Sequence, residues 1–116
     1  MKKIKSISDK RQVQLRYYNR IKAELEKELK ERGEWVCFFS GLPLPEGVIW
    51  HHVVGRENDL LTDKKFLRPV LHEYHVKYHD QPFSKLKTEW WWDGFMNRLK
   101  KLDENVWYNH VLRSER

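Results

Sequence analysis

The chain has 116 residues, 40% hydrophobic and 34% charged, with six tryptophans and a formal net charge of +6. This length suits one domain spanning residues 1–116 with a modest core, which large rings help to fill. No apolar run approaches the ~20 residues of a membrane span, and the basic start MKKIKSISDKRQ lacks the apolar stretch of a secretion signal. The lone Cys37 rules out an internal disulfide. A soluble, cytoplasmic protein with no membrane partner is expected.

The charge is unevenly placed. Residues 1–22 hold eight Lys or Arg against one acid, whereas residues 33–116 hold twelve of each. A basic arm of this kind, residues 1–33, attracts a polyanion, and nucleic acid is the commonest in the cytoplasm. The same arm reads as a helix over 8–32, capped by Ser6 or Ser8, with Val13, Tyr17, Ile21, Leu25 and Leu29 recurring every fourth residue. Gly33 stands where a helix-terminating glycine belongs. Lys10, Arg11, Arg16 and Arg20 are the candidate DNA contacts, made to the backbone without reading sequence.

After turn residues Gly41, Pro43, Pro45 and Gly47, the run GVIWHHVV reads as a short strand ending near His52 or Val54. GRENDLLTDKK is a loop, and FLRPV a second strand that Pro69 confines to a sheet edge or strand end. A short helix follows from Leu71 to about Tyr78. Residues 84–102 read as one helix capped by Ser84, with Leu86, Trp90, Trp91, Phe95, Leu99 and Leu102 as its apolar set. Core or a homodimer interface is the expected use of these rings. A last helix covers Glu104 to Leu112, with Asn109 and His110 read as surface residues. The fold class is α+β.

Five of the six histidines fall between residues 51 and 79. His75 and His79 are spaced i,i+4 and share a helix face, as does His72 three residues earlier. A helical histidine pair can clamp a metal if a third ligand comes from elsewhere. His51 or His52 can supply it, because neighbours on a strand point to opposite sides and only one readily joins the set. The other is then placed to act on water, the division of labour that metal-assisted hydrolysis needs. The segment HEYH is not a metalloprotease motif, since its histidines are three apart rather than four. One cysteine cannot supply the ligand set of a zinc deaminase.

WHHVVGR followed by FLRPVLHEYHVKYH resembles the HNH, or ββα-metal (His-Me finger), endonucleases. Members commonly read His-His-hydrophobic-x-Gly-Arg, then Asn-Leu-x-Pro-Leu-Cys-x-x-Cys-His-x-x-x-His. This likeness covers residues 34–80. The upstream ISDKRQVQLRYYNRIKAELE is similar to the lambdoid-phage NinG/Rap recombination nucleases, and residues 81–116 match no pattern. The resemblance implies a metal-dependent DNA endonuclease acting on phosphodiester bonds, including those of branched recombination intermediates, in a bacterial or phage-infected cell. It implies His51, His75 and His79 as ligands of one divalent ion and His52 as the general base, with His72 left as an exposed helix-start residue. Arg56 in the loop can hold a phosphate bidentately. Nitrogen ligands favour Zn, Ni or Mn over Mg, although family members often work with Mg or Mn.

Two departures from the family pattern stand out. The motif Asn aligns with Phe66, which leaves the orientation of His52 to Asn58, Asp59, Asp63 or a backbone carbonyl. If none serves, the alternative is an HNH-derived DNA-binding or protein-interaction module that no longer cuts. Many relatives also carry a structural zinc on two cysteine pairs, of which only Cys37 remains here. No structural zinc is expected, and packing of Trp35, Phe38, Phe39, Leu71 and Tyr74 is expected to replace it.

Overall fold

In the computed structural model the described residues are 2–53 and 64–115, with backbone alone for residues 2–10. Nothing breaks the helical run before Gly33, so α1 covers Lys2–Glu31, beginning before either serine expected to cap it. It ends as a Schellman motif. Gly33 takes φ +72°, its N–H donates to the Lys30 carbonyl at 3.1 Å, and Glu34 N–H donates to Leu29 at 2.8 Å.

From residue 11 onward, the apolar stripe of α1 is buried only toward its C-terminal end. Ile21, Leu25 and Leu29 are buried with Leu67, while Val13 and Tyr17 remain 57% and 50% exposed. Thirty residues make a rod of about 45 Å, and at Val13 and Tyr17 its apolar stripe lies open. Trp35 joins this same cluster and packs against Trp50 at 5.9 Å, not with Phe38 and Phe39 as expected.

Strands β1 (Ile49–His52) and β2 (Leu67–Val70) form a two-stranded antiparallel sheet in which His51 faces Arg68 and His52 faces Leu67. Pro69 fits inside β2 because its backbone points away from β1. Its carbonyl accepts from Phe38 N–H at 3.0 Å on the outer edge, where a missing N–H breaks no rung. A 3-10 turn, Lys64–Phe66, leads into β2, and helix α2 (His72–Asp80) follows directly.

The single helix expected over 84–102 is two: α3 (Phe83–Leu86), entered from Pro82, and α4 (Trp92–Leu102). The break resets the helical phase. Trp91, Trp92, Phe95, Met96 and Leu99 turn inward, while Trp90 is 66% exposed against the edge of Tyr74. Helix α5 (Glu104–Ser114) is capped by Asp103, whose carboxylate accepts from Asn105 and Val106 N–H at 3.0 and 3.1 Å. Among the described residues the chain is thus an α+β arrangement of five α-helices and one small sheet, and no helix is long and apolar enough to cross a membrane.

The turn at Cys37–Ser40 is tied from two directions. Cys37 Sγ accepts from Ser40 N–H at 3.4 Å and from Leu71 N–H at 3.3 Å. From α4, Arg98 donates Nε–H to the Phe38 carbonyl at 2.8 Å and an Nη2 proton to Phe39 at 2.6 Å. Gly41 and Gly94 leave the room this guanidinium occupies, a Cβ on Gly41 falling 3.1 Å from it. Phe38, Phe39 and Tyr74 are buried here with Leu71 packed against them, as expected from the sequence. Arg98→Ala should lower the unfolding free energy in urea by roughly 2–4 kcal/mol, since two charge-assisted bonds are lost. Arg98→Lys should recover less than half, because an ammonium cannot reproduce the fork.

Candidate metal centre

The strand and the helix each deliver one part of the histidine cluster. β1 ends in His51 and His52, and strand alternation sends them to opposite sides. His51 turns toward α2, whose His75 and His79 lie one turn apart on the face it meets. One nitrogen from each of His51, His75 and His79 lies within 4.8 Å of the others. His75 Nε2 and His79 Nε2 are 3.1 Å apart. A tetrahedral ion with bonds of about 2.0–2.1 Å sets its ligands roughly 3.4 Å apart, so modest side-chain closure suffices. These three histidines lie close enough to hold a metal ion. His72, exposed at the first residue of α2, is not among them.

His51 is the buried member, 3% exposed, with His75 half-buried and His79 exposed. Its Nδ1 is buried and has no hydrogen-bond partner among the described residues. An orphaned imidazole nitrogen beside two converging imidazoles is the arrangement that a bound cation satisfies. Burial pushes the His51 pKa down to about 3, helped by the nearby rings of His75 and His79, so the ring stays neutral and able to ligate.

Aromatic rings set the position of this imidazole. Phe39 lies 5.0 Å from the His51 ring and 6.4 Å from His75, and Tyr78 lies 5.0 Å from His51. Tyr78 is itself held by His110. The Val106 carbonyl must accept from His110 Nδ1–H at 2.9 Å, so in the neutral ring Nε2 accepts the Tyr78 hydroxyl proton at 2.8 Å. Burial lowers the His110 pKa and raises that of Tyr78 to about 12, which keeps both groups neutral. His110 is therefore not the surface residue expected: it is buried and stacked on Phe83 at 5.2 Å. Asn109 is exposed, as expected, and borders the cleft described next.

His52 faces α1. Its Nε2 is 3.1 Å from the Tyr18 hydroxyl, and the two rings stack at 5.8 Å. Phe66 does not orient it by its side chain. That ring packs at the core margin under Lys65, and the Phe66 carbonyl accepts from Val53 N–H. His51, His52, His79, Asn109, His110 and Arg113 border one cleft of ≈ 450 Å³. Arg113 stands at its rim with its guanidinium 4.1 Å above the Phe83 ring.

Of the other residues singled out in the sequence, Arg11, Arg16 and Arg20 are exposed along α1, Arg20 lying 3.9 Å from Glu24. Arg56, Asn58, Asp59, Asp63 and the Lys10 side chain lie outside the described residues. Tyr18, Tyr78, His110 and Arg113 are additions from the structure. Only Tyr18 carried a legible signal, lying three and seven residues before Ile21 and Leu25 on the same face. In comparison with known proteins, the chain matches no family model, no curated protein and no solved structure.

Calorimetric titration with Zn or Ni should give one ion per chain. His51→Ala, His75→Ala and His79→Ala should each weaken binding by at least about tenfold, and His72→Ala should not. Acid stability of the metal-free protein follows from the buried imidazole. Its folded pKa lies below the unfolded ~6.5, so between about pH 6.5 and 3 the unfolded chain binds the extra proton. Stability should fall on acidification through that window, by up to about 1.4 kcal/mol per pH unit from this group. Urea melts of His51→Phe should show a shallower slope, with a residue left by His110, whose shift has the same sign.

Proposed function

We propose that this protein is a divalent-metal-dependent DNA endonuclease of the ββα-metal type. One observation carries the reading: His51, His75 and His79 converge from a strand and a helix, and the adjacent His52 borders a cleft together with His51 and His79. The order β1, β2, α2, with ligands on the first strand and the helix, agrees with it.

His51, His75 and His79 would hold one ion, Zn, Ni, Mn or Mg, which when bound would supply positive charge to stabilise the charge that develops on phosphodiester hydrolysis. Three nitrogen donors favour the first three. His52 accepts the proton of the attacking water, and Tyr18 holds the imidazole in place of the motif Asn. For the base role the hydroxyl accepts from Nε2–H, which leaves Nδ1 as the nitrogen that takes the proton of the water. Half-buried Tyr78 and buried His110, both neutral, fix the wall against which the ligand His51 is packed. Arg113, spread over Phe83 at the rim of the cleft, would offer a planar fork to a phosphate there. Arg11, Arg16 and Arg20, exposed along α1, give backbone contacts to DNA beyond the cut site. Such an arm suits branched recombination intermediates, where duplex leaves the site in more than one direction.

A second reading, a DNA-binding module that no longer cuts, is favoured by one feature, Phe66 at the motif Asn position. Supercoiled plasmid and a four-way junction, each with EDTA, Mg, Mn, Ni or Zn, separate the two. Cleavage should require metal. His52→Ala should bind DNA normally and cut about 100-fold more slowly or worse. Tyr18→Phe should lower kcat about tenfold with little change in KM, whereas Arg113→Ala should act mainly on KM. Salt-sensitive DNA binding with no cleavage under any metal would leave the binding-module reading standing.

A further inference from the structure

A second cleft, of ≈ 370 Å³, opens between the C-terminal end of α1, the outer edge of β2 and the last turns of α4, and it shares no residue with the histidine cleft. Arg32, Arg68, Arg98 and Lys101 border it, with Glu34 as the one carboxylate. Among the described residues no ion pair joins Arg68 or Lys101 to an acid. Arg32 reaches Glu28 only at 4.0 Å, and that carboxylate is engaged more closely by Lys64 at 2.5 Å. Arg98 spends its fork on the Phe38 and Phe39 carbonyls, yet its charge still faces the same space.

Arg68 is the telling member. It is half-buried at the sheet edge, and Nη1 donates to the Leu67 carbonyl at 3.2 Å. Burial, and for Arg68 the neighbouring Arg32, lowers the pKa of Arg68 and Arg98 against smaller opposing pulls from Glu34 and Glu28 on Arg68, which marks cations partly stripped of water. Removing a guanidinium from water is costly unless an anion or a full set of acceptors replaces the lost solvent. Leu29, Val36, Phe38 and Pro69 form the apolar walls, and such walls strengthen any charge interaction made inside.

We infer that this cleft is an anion site for a phosphate group, held by the Arg68 fork with Arg32 and Lys101 closing over it. Arginine forks match phosphate geometry, and a dianion answers several cations at once. The phosphate is either one unit of a nucleic-acid backbone or the charged end of a free phosphorylated ligand.

The test uses the full chain in EDTA, so that no metal at the histidine cluster contributes and the nuclease reading stands or falls separately. Inorganic phosphate is titrated while the backbone amides of residues 32–34, 68 and 98–102 are followed by NMR. Those amides should shift together and saturate. Arg68→Gln should weaken the binding by at least about tenfold. Arg32→Gln and Lys101→Gln, at exposed positions that leave the fold intact, should each weaken it several-fold. A short duplex is then titrated at a series of salt concentrations. If the site takes DNA, each variant should lower the slope of log K against log salt by about one. An unchanged slope with phosphate binding lost assigns the site to a free phosphorylated ligand. Absence of localised shifts with phosphate, or equal phosphate binding by wild type and all three variants, would overturn the proposal.

Discussion

The burial of one imidazole against one phenyl ring organises this molecule. Phe39 touches both the core rings Trp91 and Phe95 and the site rings His51 and Tyr78, with centroid distances of 4.8 to 5.8 Å. It is fully buried, in a turn that the Cys37 sulfur ties to Leu71 at the start of α2 and the Arg98 guanidinium ties to α4. Through this ring, the helices that fill the core also decide where the histidine sits. A desolvated nitrogen with no protein partner is costly, and two neighbouring imidazoles show how a cation would satisfy it.

The sheet then divides the work between adjacent residues. Because side chains alternate along a strand, His51 meets α2 and His52 meets α1, within one peptide unit of each other. Each has an aromatic hydroxyl nearby, and the two hydroxyls are used differently. Tyr78 gives its proton to His110 and serves as a neutral wall, while Tyr18 contacts His52 directly. The first shapes the ligand side of the site and the second restrains the proposed base. α1 can reach His52 because Ile21, Leu25 and Leu29 anchor it over Leu67, the residue opposite His52 in the sheet.

Local pattern made much of this readable in advance. The i,i+4 spacing of His75 and His79, the strand ending at His52 and the glycine stop at Gly33 are short-range signals, and all three appear where the pattern places them. The phase of the Trp-rich segment was not readable. Trp90, Trp91 and Trp92 are equivalent by composition, and only the break between α3 and α4 decides which of them turns outward. His110 was misread for a related reason: its partners Tyr78 and Phe83 are about 30 residues away, and nothing local marks a histidine that long-range packing will bury. α1 begins at Lys2 rather than at a serine cap because no proline or glycine interrupts the sequence before Gly33.

The division of roles among the histidines is the central claim, and the environment of the bound ion tests it most directly. X-ray absorption at the metal edge of the Zn- or Ni-loaded protein, repeated on His52→Ala and His79→Ala, reads that environment. Three imidazole nitrogens at about 2.0–2.1 Å, unchanged in His52→Ala and reduced to two in His79→Ala, is the expected result. Loss of a nitrogen in His52→Ala, or an ion held mainly by oxygen with fewer than three imidazoles, would contradict it and remove His52 from the role of base.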